Sequence, residues 1–341
     1  MMWLTWRQLR PQATIMLGAL AVLITFLAIT GPRLAHDYAA GTASCGSTGD
    51  CAGFTDTFFS DHAFAYFALT ALVLAVPAVI GLFWGAPMIS RELETGTYEL
   101  VWQQSVTRRS WLAVKIGSVG LAVVVAAGLA SMAVSWWAHP LDEAGVGDFP
   151  RLSPLMFDAR GIAAVGHAAF AFILGVTLGL VLRRTLPAMA VTLTAFAIVQ
   201  IIMPTLVRPH LLAPLRVDTA ITAQNLSGVK ASGPGGTVRG LEIGIGAPGA
   251  WILTNQTIDK TGTPVETLPA WVSACMPISP GKGDADAERS CFDRLAASGY
   301  RQVVEYQPAN RFWALQALET AIFLGLALLL AAVCFWRIRP D

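Results

Sequence analysis

The sequence predicts an all-α polytopic membrane protein with six transmembrane helices, an N-terminal interfacial helix, and a small extracytoplasmic α+β segment between helices five and six. Three observations support this class. Hydrophobic residues make up 55% of the 341 residues and charged residues only 13%, which lies outside the range of soluble globular domains. Six apolar runs are long enough to cross a membrane as helices. Basic residues concentrate in every second connection between these runs. The net charge of +1 leaves no excess of positive charge with which the protein could bind nucleic acid.

Each apolar run is long enough to cross about 30 Å of hydrocarbon, which needs about 20 helical residues. The runs cover residues 13–31, 63–84, 116–137, 161–182, 186–207 and 312–336. The first is interpreted as a membrane anchor rather than a signal peptide. Its apolar core is longer than the usual stretch of about 7–15 residues, and no small-x-small cleavage site follows it.

Lys and Arg residues in the short connections predict the orientation, because basic residues near helix ends resist translocation. With a cytoplasmic N-terminus, ten basic residues fall inside and three fall outside. The inside residues are Arg7, Arg10, Arg91, Arg108, Arg109, Lys115, Arg183, Arg184, Arg337 and Arg339; the outside residues are Arg33, Arg151 and Arg160. We therefore expect a multi-pass membrane protein with both termini in the cytoplasm.

Four segments follow from this topology. Residues 1–12 are expected to form an amphipathic interfacial helix that Pro11 separates from the first span, or alternatively a frayed tail with anchoring tryptophans. Residues 13–207 hold five spans and a cytoplasmic loop at residues 85–115. The other two segments are an extracytoplasmic domain at residues 208–311 and the sixth span with its tail at residues 312–341. A loosely ordered loop pinned by a disulfide is the alternative for the extracytoplasmic segment.

Four of the five cysteines lie in segments that this topology places outside, where disulfides can form. Pairing of Cys45 with Cys51 and of Cys275 with Cys291 is the simplest of the three possible connectivities. Free or metal-binding thiols are the alternative, although no histidine stands at zinc-finger spacing from either pair.

No catalytic or nucleotide-binding motif occurs in the sequence. A Gly-x4-Gly-Lys-Ser/Thr loop is absent, and the five histidines are scattered without a metalloprotease or hydrolase pattern. We therefore expect no enzyme activity, no cofactor and no metal site on this chain, so any ATP hydrolysis belongs to another polypeptide.

Residues 90–111 carry the most informative motif, SRELETGTYELVWQQSVTRRSW. This run resembles the cytoplasmic segment of ABC-2 type permeases, in which Arg-Glu-x-Glu-x-Gly-Thr precedes a Ser-Pro-x-x-Arg-like step into the third span. Val106 stands where that family often has proline. The resemblance extends to the amphipathic start, the six spans and the long outer segment, and the run 306–313 followed by Glu319 is similar to actinobacterial members.

The resemblance implies a transporter of the bacterial cell membrane. It is built from two permease copies, or two related permeases, and two cytoplasmic ABC ATPase subunits that bind ATP and Mg. A short charged helix in the cytoplasmic loop is suited to docking in a groove of the ATPase. The alternative is a solvated loop that only obeys the positive-inside rule. The expected coupling residues are Arg91, Glu92, Glu94, Gly96, Thr97, Arg108 and Arg109.

Polar side chains within the apolar spans are candidates for a substrate path, because ionisable groups in a membrane usually face a cavity or a partner. The candidates are Glu319, His167 and Gln200; the alternative is that Glu319 pairs with a neighbouring helix or is protonated. The mostly apolar spans favour an amphipathic or hydrophobic cargo such as an antibiotic, a drug or a lipid-like compound, moved outward. A membrane sensor or assembly factor with a ligand-binding ectodomain is the alternative function.

Overall fold

The computed structural model describes residues 2–48, 51–96, 107–144, 149–231, 238–275 and 285–338. It is 73% helical and has a small β segment near the C-terminal region, which confirms the predicted fold class. Within the described residues, six helices are long and apolar enough to cross a membrane. They are Ala13–Gly46, Gly53–Thr95, Arg108–Ala144, Ala163–Leu182, Thr185–Leu211 and Ala309–Arg337.

The chain forms two compact units. The first, called the helical unit here, contains Met1–Leu211 and Phe312–Asp341, and the second contains Leu212–Arg311. The helices of the first unit are α1 (Met2–Thr48), α2 (Cys51–Ile80), α3 (Ala86–Thr95), α4 (Arg108–Ala144), α5 (Pro154–Asp158), α6 (Ala163–Leu182), α7 (Thr185–Ile202), α8 (Arg208–Leu211) and α11 (Phe312–Arg337). Two π-helical turns, Gly81–Gly85 and Met203–Val207, join α2 to α3 and α7 to α8.

Helix α1 differs from the prediction at both ends. It runs without interruption from Met2 to Thr48, so the predicted break at Pro11 is wrong. A proline inside a helix removes one backbone hydrogen bond, and a long membrane helix can continue past that loss. The helix also continues well beyond residue 31, because hydropathy marks where a helix leaves hydrocarbon and not where its backbone pattern ends.

Beyond their apolar segments, α1 and α2 form a hairpin that is closed by a disulfide. Cys45 near the end of α1 is bonded to Cys51 at the start of α2, which confirms this predicted pair. Next to the disulfide along both helices, Tyr38 of α1 packs against two rings of α2. Its ring centroid lies 6.4 Å from that of Phe54 and 5.3 Å from that of Phe58. The aromatic contacts and the covalent link together hold the two helix ends side by side.

Helix α6 is the most buried span, with 67% of its most apolar window inside the protein. Small residues allow α2 and α3 to approach it closely. A Cβ added at Gly81 would lie 2.7 Å from the carbonyl oxygen of Ala171, and one added at Gly179 would lie 2.5 Å from the carbonyl oxygen of Ala86. A side chain at Gly175 would likewise collide with the backbone of Gly81. The backbones are therefore in direct contact along this face.

The second unit is a small α+β structure. Its strands are β1 (Leu215–Thr219), β2 (Leu226–Ala231), β3 (Val238–Ile243), β4 (Trp251–Ile258) and β5 (Arg301–Gln307), and its helices are α9 (Ala270–Cys275) and α10 (Ala285–Ala297). Strand β5 lies between β1 and β4 in an antiparallel sheet, and β2 pairs with β3. Leu241, Val272, Leu295 and Val304 share its apolar core.

A buried glutamine connects the strands of this unit. The side-chain amide of Gln302 on β5 donates to the carbonyl oxygen of Leu241 on β3 at 2.5 Å, and its oxygen accepts from the hydroxyl of Thr257 on β4 at 2.8 Å. Cys291 on α10 is disulfide-bonded. The side chain of its predicted partner, Cys275, lies outside the described residues, so this pairing stays a prediction.

Candidate functional site

Helix α3 carries the first group of predicted site residues. It ends at Gly96, whose φ of 72° is the left-handed conformation that favours glycine at a helix C-terminus. Arg91 on this helix is exposed, as are Arg108 and Arg109 at the first turn of α4. Thr97, the remaining predicted coupling residue, lies outside the described residues. The three arginines are thus exposed at the surface, and the two glutamates of α3 have contacts of their own within the chain.

Glu92 is turned inward from α3 towards α4. Its carboxylate forms an ion pair with the ammonium of Lys115, and the two side chains are only 17% and 6% exposed. The ammonium also lies 4.7 Å from the ring centroid of Trp111. The second oxygen, Oε2, is buried without a hydrogen-bond partner among the described residues. This ion pair attaches the C-terminal half of α3 to the first third of α4.

Glu94 caps the N-terminus of a different helix. Its Oε2 accepts a hydrogen bond from the backbone N–H of Thr185 at 3.0 Å and another from the Thr185 hydroxyl at 2.7 Å. The N-cap residue of α7 is Arg184, which has no side-chain acceptor and makes no capping bond itself. Glu94 therefore supplies the acceptor that the first turn of α7 lacks, and its negative charge suits the positive end of the helix dipole.

The remaining site predictions meet in one buried group at the other end of α6, called the Arg208 cluster here. It consists of Asp158, His167, Arg208 and Glu319, none of which is more than 4% exposed. Arg208 Nε donates to Glu319 Oε2 at 2.7 Å, and its Nη2 donates to Glu319 Oε1 at 2.9 Å and also to Asp158. His167 Nε2 lies 3.1 Å from Glu319 Oε1. The cluster joins α5, α6, α8 and α11.

Almost all N–H donors of the Arg208 guanidinium have hydrogen-bond acceptors. Nη1 donates to the carbonyl oxygen of Pro154 at 3.3 Å, and the group lies 4.1 Å from the ring centroid of Phe157. On the far side of the cluster, Gln200 Nε2 donates to Asp158 Oδ2 at 3.3 Å, while Gln200 Oε1 is buried without a partner among the described residues.

Burial dominates the electrostatics of Asp158, which lies on the short helix α5 between two spans. Loss of hydration raises the pKa of Asp158 to about 6, although the nearby Arg208 and His167 act in the opposite direction. The ligand atoms of Asp158, His167 and Glu319 lie within 4.8 Å of one another, a spacing that would also suit a metal ion. Arg208 already supplies positive charge to both carboxylates, so we assign no metal to this group.

A second buried ion pair, called the Arg160 cluster, contains Tyr66, Asp142 and Arg160. The Tyr66 hydroxyl donates to Asp142 Oδ1 at 2.6 Å, and Arg160 Nε donates to Asp142 Oδ2 at 3.3 Å. Arg160 also lies 5.0 Å from the centroid of the Tyr66 ring. The cluster ties α2 and α4 to the connection between α5 and α6.

The comparison with known proteins gives a family for the chain. The model of the family described as ABC-2 membrane transporter related matches residues 17–208. The chain belongs to this family. It is therefore the permease component of an ABC transporter, and the family implies an ATP-binding partner. No curated protein and no solved structure gives a significant match to the chain.

The matched region of this ABC-2 permease contains α3, the first turn of α4 and the Arg160 cluster, but only part of the Arg208 cluster. Arg208 is the last matched residue, and Glu319 lies beyond the match.

The three predicted path residues, His167, Gln200 and Glu319, do meet in the structure. They meet around Arg208 and Asp158, which sequence reasoning missed because both fall in predicted outer segments. Their position directly beside apolar spans, at the same end of the bundle as Glu319, was the available signal.

Proposed function

We propose that this chain is the transmembrane permease subunit of an ABC exporter that moves an amphipathic or hydrophobic compound outward and is powered by a separate ATP-binding subunit. ATP and Mg are bound by that partner. Both termini lie in the cytoplasm, and the transporter contains a second copy of this permease or a related one. The family supports the transport role, and the absence of a nucleotide-binding loop from the sequence supports a separate ATPase.

The attachment of α3 to three spans is the observation that carries the proposal. Glu92 attaches the helix to α4, Glu94 attaches it to α7, and close backbone contact holds its first turn against Gly179 of α6. A force applied to α3 by a partner is therefore transmitted to all three spans. In this arrangement the two glutamates attach α3 to the spans, while Arg91 and Arg109 contact the ATPase.

The lateral surface of the helical unit supports an apolar environment and an apolar cargo. Helix α1 has only 6% of its most apolar window buried, and Ile15, Val22 and Ile29 are 74%, 71% and 59% exposed. Such a surface is suited to lipid or to a second permease copy. Buried charges in the described spans, such as Lys115 and Glu319, are paired, so an apolar path favours an antibiotic, a drug or a lipid-like compound.

The coupling assignment is tested by charge reversal on the exposed face of α3 and α4. Arg91→Glu with Arg109→Glu is expected to weaken co-purification of the ABC ATPase about five- to tenfold, because like charges then face the docking groove. Arg216→Glu is the matched control, since this arginine is also exposed but lies on β1. Co-purified proteins are identified by mass spectrometry.

Unchanged recovery of the ATPase with the double variant would show that this surface does not dock the partner. Recovery of a kinase or a protease in place of any ATPase would instead favour the sensor function. Insertion of each variant is checked by size-exclusion chromatography in detergent, which separates a failure to dock from a failure to fold.

A further inference from the structure

We propose that the Arg208 cluster is a binding site for a single proton, carried by the carboxyl group of Asp158, and that this proton holds α5, α6, α8 and α11 together. The inference concerns the permease itself. It depends neither on the ATPase partner nor on which side of the membrane the cluster faces.

The first support for the proposal is the sum of the formal charges in the cluster. Asp158 and Glu319 contribute two negative charges when ionised, and Arg208 contributes one positive charge to balance them. The sum is −1 in a site where no residue is more than 4% exposed. An uncompensated charge in such surroundings is strongly unfavourable, and one bound proton removes it. Arginine cannot release a proton to change this count.

The hydrogen bonds indicate which of the two carboxyl groups carries the proton. Glu319 accepts two bonds from Arg208, and a carboxylate at this position also accepts from the Nε2–H of His167. Its negative form is therefore fully solvated by donors. Asp158 accepts from one nitrogen of Arg208 and makes only a long bond of 3.3 Å to Gln200. Asp158 is the less stabilised anion, which agrees with the direction of its pKa shift.

Gln200 offers an acceptor for the proton. Its Oε1 is buried without a partner among the described residues, while its Nε2 faces Asp158 Oδ2. The two ends of a glutamine amide exchange positions on rotation, and their assignment follows the hydrogen-bond network. After this rotation, Oε1 would accept a hydrogen bond from the protonated Oδ2 of Asp158. The proton thereby connects α5 to α7 as well.

The neighbouring ionisable groups do not alter the charge count. The ionisable groups that act on Asp158 are the other members of the cluster, Arg208, His167 and Glu319. From α2, the Tyr66 hydroxyl points to Asp142, and Arg160 pairs with the same carboxylate. His210 on α8 is exposed and bonds the carbonyl oxygen of Leu206. On α4, His139 and Glu143 form a pair that is more than half exposed.

The consequence of proton release follows from the position of Arg208. This residue stands directly after the π-helical turn Met203–Val207, where the regular backbone hydrogen-bond ladder of the fifth span is interrupted. Two anions then compete for one guanidinium in a dry site. We expect Asp158 to withdraw towards water, which detaches α5 from α8 and α11.

Thermal unfolding of the purified full-length permease tests the proposal against pH. The folded-state pKa of Asp158 is raised, so its stabilising effect is complete below the unfolded-state pKa of about 4 and is lost as pH rises from there through about 6. Asp158→Asn imitates the protonated carboxyl group. We expect this variant to melt at the same temperature as the wild type at about pH 3.5, and several degrees above it at about pH 8.

Asp142→Asn in the Arg160 cluster is the matched control. That cluster is neutral without an added proton, so this variant is expected to melt below the wild type at both pH values, because Arg160 is left unpaired. An Asp158→Asn variant that melts at or below the wild-type temperature at about pH 8 would overturn the proton site.

Infrared spectroscopy of the wild type provides an independent measurement should a variant fail to fold. A protonated carboxyl group has a carbonyl band that carboxylates lack, and we expect one such band to titrate near pH 6. Ordinary surface carboxyl groups titrate near pH 4. A spectrum in which every carboxyl band disappears below about pH 5 would refute the assignment.

Discussion

Removal of Glu92 should cost more stability than its place in a predicted surface loop suggests. In Glu92→Leu, the Lys115 ammonium stays in a site where its side chain is only 6% exposed, without the carboxylate that neutralises it. Breaking a buried charge pair in this way typically costs about 2–5 kcal/mol. Glu92 is itself 17% exposed, and Trp111 still faces the ammonium at 4.7 Å. Both features reduce the penalty, so we expect about 2 kcal/mol.

A double-mutant cycle separates the ion pair from the loss of packing. Lys115→Met leaves the Glu92 carboxylate unpaired and should also destabilise the protein. In the double variant Glu92→Leu/Lys115→Met, no buried charge remains, and an apolar pair of similar size is often as stable as the ion pair it replaces. The expected interaction energy is therefore about 2 kcal/mol, with the double variant more stable than either single variant.

The assay is equilibrium unfolding of the purified permease in mixed detergent micelles. Lys230→Met/Glu242→Leu is the matched control cycle, because that ion pair is 61% and 40% exposed and belongs to the second unit. Exposed pairs contribute about 0–1 kcal/mol. If the effects of the Glu92 and Lys115 substitutions add to within about 0.5 kcal/mol, the two side chains do not form the buried pair described above.

Two further predictions concern topology and helix packing. Cysteines placed at Lys230 and Lys260 should react with an impermeant thiol reagent added to intact cells, and labelling that occurs only after lysis would contradict an outer second unit. Gly175→Leu should destabilise the helical unit by about 1–3 kcal/mol or prevent its folding, because a side chain there collides with the backbone of Gly81. Gly117→Leu is its control, since a Cβ at Gly117 meets nothing within 4 Å; equal effects of the two substitutions on unfolding would contradict the packing argument.

The sequence predicted the class of the fold because a membrane imposes a length and a polarity on each span. Six apolar runs were sufficient to predict six helices. The ends of α1 and α2 could not be derived in this way. They are determined by the disulfide between Cys45 and Cys51 and by aromatic contacts such as Tyr38 with Phe58, which act outside the apolar segments.

The separate roles of Glu92 and Glu94 follow from helix geometry. Residues two positions apart are rotated by about 200° around an α-helix, so their side chains point to nearly opposite sides. Both carboxylates of one helix therefore cannot face the same partner. The structure has Glu92 directed to Lys115 and Glu94 directed to Thr185. The identity of those partners, in contrast, depends on tertiary packing and cannot be read from spacing.

The Arg208 cluster marks the limit of reasoning from one sequence. Arg208 and Glu319 are separated by 111 positions, and Arg208 and Asp158 by 50. A single ionisable residue in a span indicates that a partner exists. It does not identify the partner, because any charge at the same depth could serve. The proximity of His167 and Glu319 was compatible with both a substrate path and a structural pair, and the contacts to Arg208 favour the latter within this chain.

The distribution of buried charges has a mechanical consequence. Glu92 with Lys115, the Arg160 cluster and the Arg208 cluster all lie towards the ends of helices, whereas glycine and alanine backbones meet along the middle of α6. Ion pairs in a dry environment are directional and specific, so they determine which helix ends remain together. Small residues provide a smooth contact without interlocking side chains, which allows one helix to shift against another. A permease driven from α3 needs both properties, because a displaced helix must stay attached at its end and still move along its neighbours.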